Sequence, residues 1–414
     1  MISTLDASPE LNVHRGPATP AVIPASSAVW HILQYSDVLD LEFATELSRD
    51  VPTILWKPDR SLIPLRPHFR ESEQKLPGSE LRIRSFPLAR GYARAPLSKL
   101  VRIGPQLVRR LLRRSSVAAE ATLVCTTPYF APVAELWPGP VVYWLTDLMI
   151  RYDGAAAGTL LDLDRKMCQV ATLVCPASPR LAEYLHRDAR CALRKIVVLP
   201  NATREANLLQ APVAAPDSSP LGAIGNGGPI AGVLGHLSDN MDWVLLEQTL
   251  RRTPWLTWAL VGPSHRPVED DAQGRAFDAV RANPRAHFLG FKPYGELWRY
   301  ARAFSVAVLP YKRREPTFSG SSTRFYEHLA ARHPILATPC VEELRHKEPL
   351  LKLVRTADQT VEALDALRAT GFEDGQRQAR WEAGLKNTWR VRAAAMQQAL
   401  HERVAEGVSL AAQG

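Results

Sequence analysis

The sequence predicts an α/β protein of two doubly wound, Rossmann-like domains, and three observations carry that expectation. Short apolar strand patterns alternate with helical ones along most of the 414 residues, the arrangement that builds parallel sheets covered on both faces. A chain of this length exceeds one ordinary core and divides into about two domains. Between two such alternating series lies 210–229, rich in Pro, Gly and Ser, almost uncharged and without sustained period, which is the composition of a linker.

Taken in order, residues 1–27 are rich in Pro, Ala and Ser, include Asp6 and Glu10, and lack a basic start followed by an apolar block. They are expected to be a disordered N-terminal segment, not a secretory signal. A first domain over 28–208 follows, with strand patterns at Trp30–Tyr35, Val51–Trp56, Leu81–Phe86, Ala121–Cys125 and Val141–Leu145 and helical patterns between most of them. The linker is placed at 209–229 and a second α/β domain at 230–386, leaving 387–414 as a terminal helix.

Composition narrows the function classes. The hydrophobic fraction of 46% suffices for globular cores, and no uncharged apolar run reaches the ~18–20 residues that span a bilayer. Cys125, Cys168, Cys175, Cys191 and Cys340 are odd in number and fit neither a CxxC nor a zinc spacing. They read as buried reduced thiols of a cytoplasmic protein, with no metal site. Asp162-Leu-Asp164 has the letters of an Asp-x-Asp metal motif but falls inside a helical pattern, where it is expected to be a solvated face.

The net charge of +9 is unevenly spread. From Arg94 to Arg114 seven basic residues are interleaved with apolar ones, and from Pro105 onward the apolar positions form a helical stripe flanked by Arg109, Arg110, Arg113 and Arg114. Two readings stand. Residues 96–114 are either a basic amphipathic helix for an anionic membrane surface, at ~1 kcal/mol per basic residue, or a core-facing helix with a solvated basic edge. Nucleic acid is not expected, since no motif of that kind accompanies the charge.

Candidate chemistry concentrates between Phe318 and Pro339. Ser319, Gly320, Ser321, Ser322 and Thr323 form a small-residue loop at the start of a helix, where capping hydroxyls and free N–H groups suit a phosphate. Arg324 enters in the first turn with a planar fork of donors, and Glu327 lies one turn on, where a carboxylate can accept both hydroxyls of a ribose. The bland alternative is a capped surface helix with an Arg–Glu pair. Strand patterns at Ser305–Pro310 and Pro334–Thr338 make the helix a crossover, which puts the loop at the ligand-binding carboxyl end of a parallel sheet.

This order, VAVLPY, the Ser/Gly loop, a basic residue three before Glu, then HLAARHPILAT, resembles the donor-binding signature of GT-B glycosyltransferases of the group 1 type found in bacterial exopolysaccharide and surface-glycan assembly. Further similarity lies in Gly232–His236 with Asp242–Leu246, in Trp258–Pro263, in His287–Leu297, in Val142–Asp147 and in Ala171–Asn201, in the family's order over most of 28–400. The resemblance implies two Rossmann-like domains facing across a cleft and a last helix that crosses back, for which Trp389 suits the anchor. It implies a metal-independent hexosyl- or glycuronosyltransferase, cytoplasmic or peripheral on the inner membrane face. A nucleoside diphosphate sugar, UDP-sugar foremost, is its co-substrate in place of a cofactor, and a glycan or lipid-linked molecule its acceptor.

Site roles follow from the residues and the resemblance together. Arg324 and the loop 319–323 would hold the diphosphate and Glu327 the ribose. Phe291, Lys292 and Tyr294 fall in the segment that cradles the base, and Tyr311 or Lys312 would border the sugar. For a base on the acceptor hydroxyl, Asp147 after the buried run VVYWL is the first candidate and Asp37 after the first strand the second, each with the alternative of a capping or turn aspartate. His236, just past the Gly232–Gly235 turn, would face donor phosphates or acceptor, or be structural. The pattern departs from the family in two places: Ser319 stands where retaining members carry a glutamate, with Glu315 in the same loop, and Arg332-His333 replaces the usual glycine before the Pro-containing strand. A nucleotide-sugar epimerase of the same fold and a non-catalytic donor-binding scaffold are the alternatives.

Overall fold

A computed structural model describes residues 28–33, 38–59, 73–75, 79–87, 111, 121–148, 157–209, 219–225 and 227–411. The chain forms two compact units, Met1–Pro200 with Trp389–Gly414, and Asn201–Thr388.

The first unit is built on β1 (Trp30–Leu33), β2 (Thr53–Asp59), β3 (Glu73–Lys75), β4 (Arg82–Pro87), β5 (Thr122–Cys125), β6 (Val141–Leu145) and β7 (Leu173–Pro176), in spatial order β3-β4-β2-β1-β5-β6-β7. All pairs are parallel except β3 with β4. β1, β5, β6 and β7 are buried on both faces, which is why they read as continuous apolar runs without alternation. The expected strands are all present, while the polar edge strand Glu73-Gln-Lys75 carries no apolar signal and was not foreseen. The final helix Trp389–Ala411 belongs to this unit. Trp389 is buried there with its ring 6.3 Å from that of Trp144, and Arg390 grips Asp50 through two bonds of 2.6 and 2.8 Å.

The second unit carries β8 (Ile230–Leu234), β9 (Thr257–Val261), β10 (Ala286–Gly290), β11 (Val306–Leu309), β12 (Ile335–Ala337) and β13 (Lys352–Leu353), all parallel, in the order β10-β9-β8-β11-β12-β13. Numbered within the unit this is 3-2-1-4-5-6, the Rossmann order, whose direction reverses between β8 and β11. The helix Trp243–Arg252 follows β8 and is capped by Asp242, whose Oδ1 accepts from the Leu245 N–H at 3.0 Å. Trp243, Leu246, Leu250 and Trp258 fill the core beneath it.

The chain passes into the second unit at Asn201, earlier than the expected linker. The helix Glu205–Leu209 explains the difference, because its Asn207 and Leu208 are buried, Leu208 closely enough against Gly384 that a side chain there would collide. Of the expected linker, 210–218 and 226 lie outside the described residues, and Gly222–Gly225 forms a helical turn beside buried Leu221. The basic stretch 96–114 likewise lies outside them except Leu111, which is helical and buried in the first unit's core. Among the described residues no helix is long and apolar enough to cross a membrane. The five cysteines are free thiols, four of them buried and Cys340 half-buried.

Asp164 corrects one expectation. It is buried, not solvated, and accepts hydrogen bonds from the Tyr143 and Tyr184 hydroxyls at 2.5 and 2.6 Å. Desolvation pushes its carboxyl up to about 6 against the opposing effect of these bonds. Asp162 does lie on the surface, paired with Arg165.

Candidate functional site: the switch point of the second unit

The topological switch point lies at the carboxyl ends of β8 and β11, and the loop after each strand converges there. β8 is followed by Gly235, whose φ of +100° favours glycine, and a Cβ on it would stand 2.5 Å from Arg324 Nε. Gly262, after β9, has φ +138°, and a side chain there would run into the Gly235 carbonyl. These two glycines let backbone and guanidinium close in on one point, which larger residues would hold apart.

The guanidinium arrives from the helix Thr323–Ala331. Arg324 Nη2 donates to the His236 carbonyl at 2.5 Å, Nη1 meets Met241 Sδ at 3.2 Å, and the group lies over the Tyr311 ring at 5.0 Å. Arg324 and Glu327 therefore do not form the surface ion pair of the bland reading. The structure brings Arg324 and His236 together, and their proximity has an electrostatic cost: desolvation first, then His265 and Arg324, lower the His236 pKa, with Asp239 opposing. The His236 ring meets that of His265 edge-on at 5.2 Å.

Glu327 is buried, with Oε1 accepting from the Tyr294 hydroxyl at 2.6 Å and Oε2 from Asn207 Nδ2 at 3.0 Å. Tyr294, expected in the segment that cradles the base, thus joins the glutamate by its side chain. Phe291 is 72% exposed at the end of β10, and Lys292 lies 5.7 Å from the Tyr300 ring. Tyr311 is buried beneath Arg324, and Lys312 is paired with Asp270 at 2.5 Å, so the two neighbours point to different tasks.

The loop before the helix is more committed internally than its sequence suggested. Ser319 donates from N and Oγ to Glu315 at 3.2 and 2.7 Å, so a carboxylate reaches position 319 from four residues upstream. Asn201 donates its amide to the Ser321 carbonyl at 2.8 Å and to Thr323 Oγ1 at 2.9 Å. Ser322 caps the helix, its Oγ accepting from the Phe325 N–H at 3.3 Å and meeting the Tyr311 hydroxyl at 2.9 Å. The Ser321 hydroxyl and the Ser322 N–H both donate to Glu343, at 2.9 and 3.0 Å. Ser321 and Ser322, expected in the phosphate cradle, thus hold a carboxylate of the protein. Glu343 was missed because it lies 16 residues past Glu327, although its place after β12 was a usable signal. Asn201 and Asn207, more than 100 residues away, gave none.

At the other end of the same helix Arg332 takes φ +68° and caps it in the left-handed conformation. Glycine is the residue that adopts this without strain, and here Arg332 is held by its lie over the Trp381 ring at 5.0 Å.

In the first unit the order β4-β2-β1-β5-β6-β7 reverses between β1 and β5. Thr126 binds across it, donating to the Leu33 carbonyl at 3.0 Å and to Asp40 at 3.2 Å. Asp37 lies outside the described residues. Asp147 stands two residues past β6, and desolvation alone pushes its carboxyl up to about 6. Among the described residues no group of three or more His, Cys, Asp or Glu side chains could hold a metal.

Two doubly wound sheets with a terminal helix returned to the first unit are matched over nearly the full chain by solved structures. Sucrose-phosphate synthase of Thermosynechococcus elongatus superposes with a TM-score of 0.68 at 16% identity, over 92% of this chain and 100% of that one. The chain has the GT-B fold. A glycosyltransferase of Rickettsia africae ESF-5 matches this GT-B chain with a TM-score of 0.65 at 10% identity, covering 91% and 99% of the two chains. Anabaena HepE, solved with UDP and glucose, gives 0.61 at 15% identity, over 92% and 99%. In sequence, the GT-B chain is 22% identical over 279 residues to a protein of Bacillus subtilis strain 168 described as a teichuronic acid biosynthesis glycosyltransferase, TuaH, across 65% of this chain and 68% of that protein. No family model matches.

Proposed function

We propose that the chain is a glycosyltransferase that moves one sugar from a UDP-sugar to a glycan or lipid-linked acceptor in the assembly of a surface polysaccharide. The observation that carries this is the convergence of the Arg324 guanidinium on the His236 carbonyl at the β8–β11 switch point. As the glycosidic bond to the diphosphate breaks, negative charge grows on the leaving oxygen, and a fixed cation there lowers the barrier more than it stabilises the ground state.

The other roles are assigned on the same basis. Glu327, oriented by Tyr294 and Asn207, would take the ribose hydroxyls, and Phe291 offers an exposed aromatic face to the base. Glu315, delivered beside Ser319, is the carboxylate available to hydroxyls of the transferred sugar. Asp147, with its carboxyl raised to about 6, is a base matched to neutral pH for the acceptor hydroxyl. His236 would contribute its backbone carbonyl and a neutral ring. Transfer is favoured over epimerisation because TuaH and Rickettsia africae proteins are named as glycosyltransferases.

The test is a panel of UDP-, GDP- and dTDP-sugars offered with and without glycan or polyprenyl-phosphate acceptors. Release of nucleoside diphosphate, faster with an acceptor, is the expected outcome. Conversion to an epimeric nucleotide sugar would establish the epimerase instead, donor binding without turnover would leave the non-catalytic scaffold, and failure of every donor to bind would remove the transferase reading. For 96–114 the proposal includes an anionic membrane surface on the cytoplasmic side. The full chain should then float with vesicles containing anionic lipid and stay in the soluble fraction with neutral ones.

A further inference from the structure

The N-terminal end of a helix attracts anions because its first N–H groups lack intrahelical partners and the peptide dipoles add there. At the helix Thr323–Ala331 that place is taken by the protein itself. Glu343 is buried after β12 in the short helical segment Glu342–His346. Its Oε2 accepts from the Ser322 N–H at 3.0 Å and the Ser321 hydroxyl at 2.9 Å. Its Oε1 accepts from the Tyr326 hydroxyl, one turn into the helix, and meets Lys347 Nζ at 3.4 Å. The ion is thus paired and hydrogen-bonded on both oxygens, as a buried charge must be.

Two consequences follow. A phosphate cannot share Ser321 and Ser322 with this carboxylate, because two anions at contact distance repel in a partly desolvated site. The diphosphate is left with the other side of the helix start, where Arg324 faces Gly235 and His236. Glu343 is also linked to Arg324 by an unbroken series of contacts. Glu343 holds the Ser322 N–H, Ser322 Oγ bonds the Tyr311 hydroxyl at 2.9 Å, and the Tyr311 ring lies under the guanidinium at 5.0 Å.

We propose that Glu343 is a positioning residue of the donor site: it fills the anion place at the helix N-terminus and, through Ser322 and Tyr311, fixes Arg324 against the His236 carbonyl, so that the leaving diphosphate is gripped by Arg324. Glu343 touches no substrate in this account. Its effect falls on donor affinity and, through Arg324, on departure of the diphosphate.

The inference rests on the donor reading above, and one experiment separates the two. UDP is titrated into the full chain by calorimetry for wild type, Glu343→Gln, Tyr326→Phe, Arg324→Ala and the Arg324→Ala/Glu343→Gln double variant, with kcat and donor KM measured alongside. Absence of UDP binding by wild type would remove the donor reading and the inference with it. Given wild-type binding, Glu343→Gln should weaken UDP by about tenfold, the loss of one charge-assisted bond, and should lower kcat at saturating donor as well, because the guanidinium it positions stabilises the departing diphosphate more than the bound donor. Tyr326→Phe, a milder change that keeps the carboxylate, should move affinity in the same direction. The double variant should bind UDP no more weakly than Arg324→Ala, since a residue that acts through Arg324 has nothing left to act on. Unchanged affinity in both single variants would overturn the proposal. So would additive losses in the double variant, or tighter UDP binding by Glu343→Gln, which would mean that the carboxylate only competes with phosphate.

Discussion

The two units share a strand order and differ in how they treat charge at the carboxyl ends of their strands. In the second unit every charged group at the switch point is engaged: Arg324 by His236 and Tyr311, Glu327 by Tyr294 and Asn207, Glu343 by Ser321, Ser322 and Tyr326. In the first, desolvation raises the Asp147 carboxyl to about 6. Preorganised partners fix a binding geometry before a ligand arrives, whereas a carboxylate raised toward neutrality by burial is suited to exchange a proton. On the proposed function, the second unit would hold the donor and Asp147 of the first would activate the acceptor.

The largest expected effect breaks that division on the reactive side. Asp147→Asn should lower kcat by about 10²–10⁴, the range for loss of a general base, while UDP affinity stays within about twofold of wild type. The wild-type kcat/KM should fall as pH drops through about 6, where Asp147 takes up a proton, and Asn should abolish that limb. The same variant should be more stable. Its folded pKa is raised above the unfolded value, so the desolvation cost is present in full above about pH 6 and vanishes below about 4. Urea midpoints should therefore show Asp147→Asn more stable than wild type by about 1–3 kcal/mol at pH 7 and equal at pH 3.5.

Next in size is Trp389→Ala. Its ring is buried against Trp144 in the first unit, and truncation should cost about 3–5 kcal/mol of stability. Calorimetric unfolding should shift the transition of that unit and leave donor affinity intact. Arg324→Ala follows, with a loss of about 1.5–3 kcal/mol in UDP binding, since it removes a charge-assisted donor. The smallest is Tyr294→Phe. It removes one hydrogen bond to Glu327 and should weaken UDP by about 1 kcal/mol, unless an ordered ribose hydroxyl replaces the lost donor, in which case stability without ligand should fall while affinity holds.

Much of this was legible in the sequence because the determinants are local. A strand buried on both faces is an unbroken apolar run, and so VVYWL and VAVLP declared β6 and β11. Arg324, in the first turn of a helix capped by Ser322, follows from the small-residue loop that opens the helix and the strands on either side of it. What was not legible depended on contacts distant in sequence or on polar edges. Glu73–Lys75 pairs antiparallel with β4 and offers no apolar pattern. Asn201 and Asn207 reach Thr323 and Glu327 across more than 100 residues. Asp164 looked like a solvated helix face because nothing in its neighbourhood announces that Tyr143 and Tyr184 will close over it.

Calorimetric titration of UDP into wild type and Arg324→Ala, at one salt concentration, tests the central assignment most directly. Saturable binding of one UDP per wild-type chain is expected, with an affinity loss of about 10- to 150-fold in the variant, the equivalent of about 1.5–3 kcal/mol. Equal affinity in the two proteins would contradict it, because the cation at the switch point would then not be what holds the diphosphate.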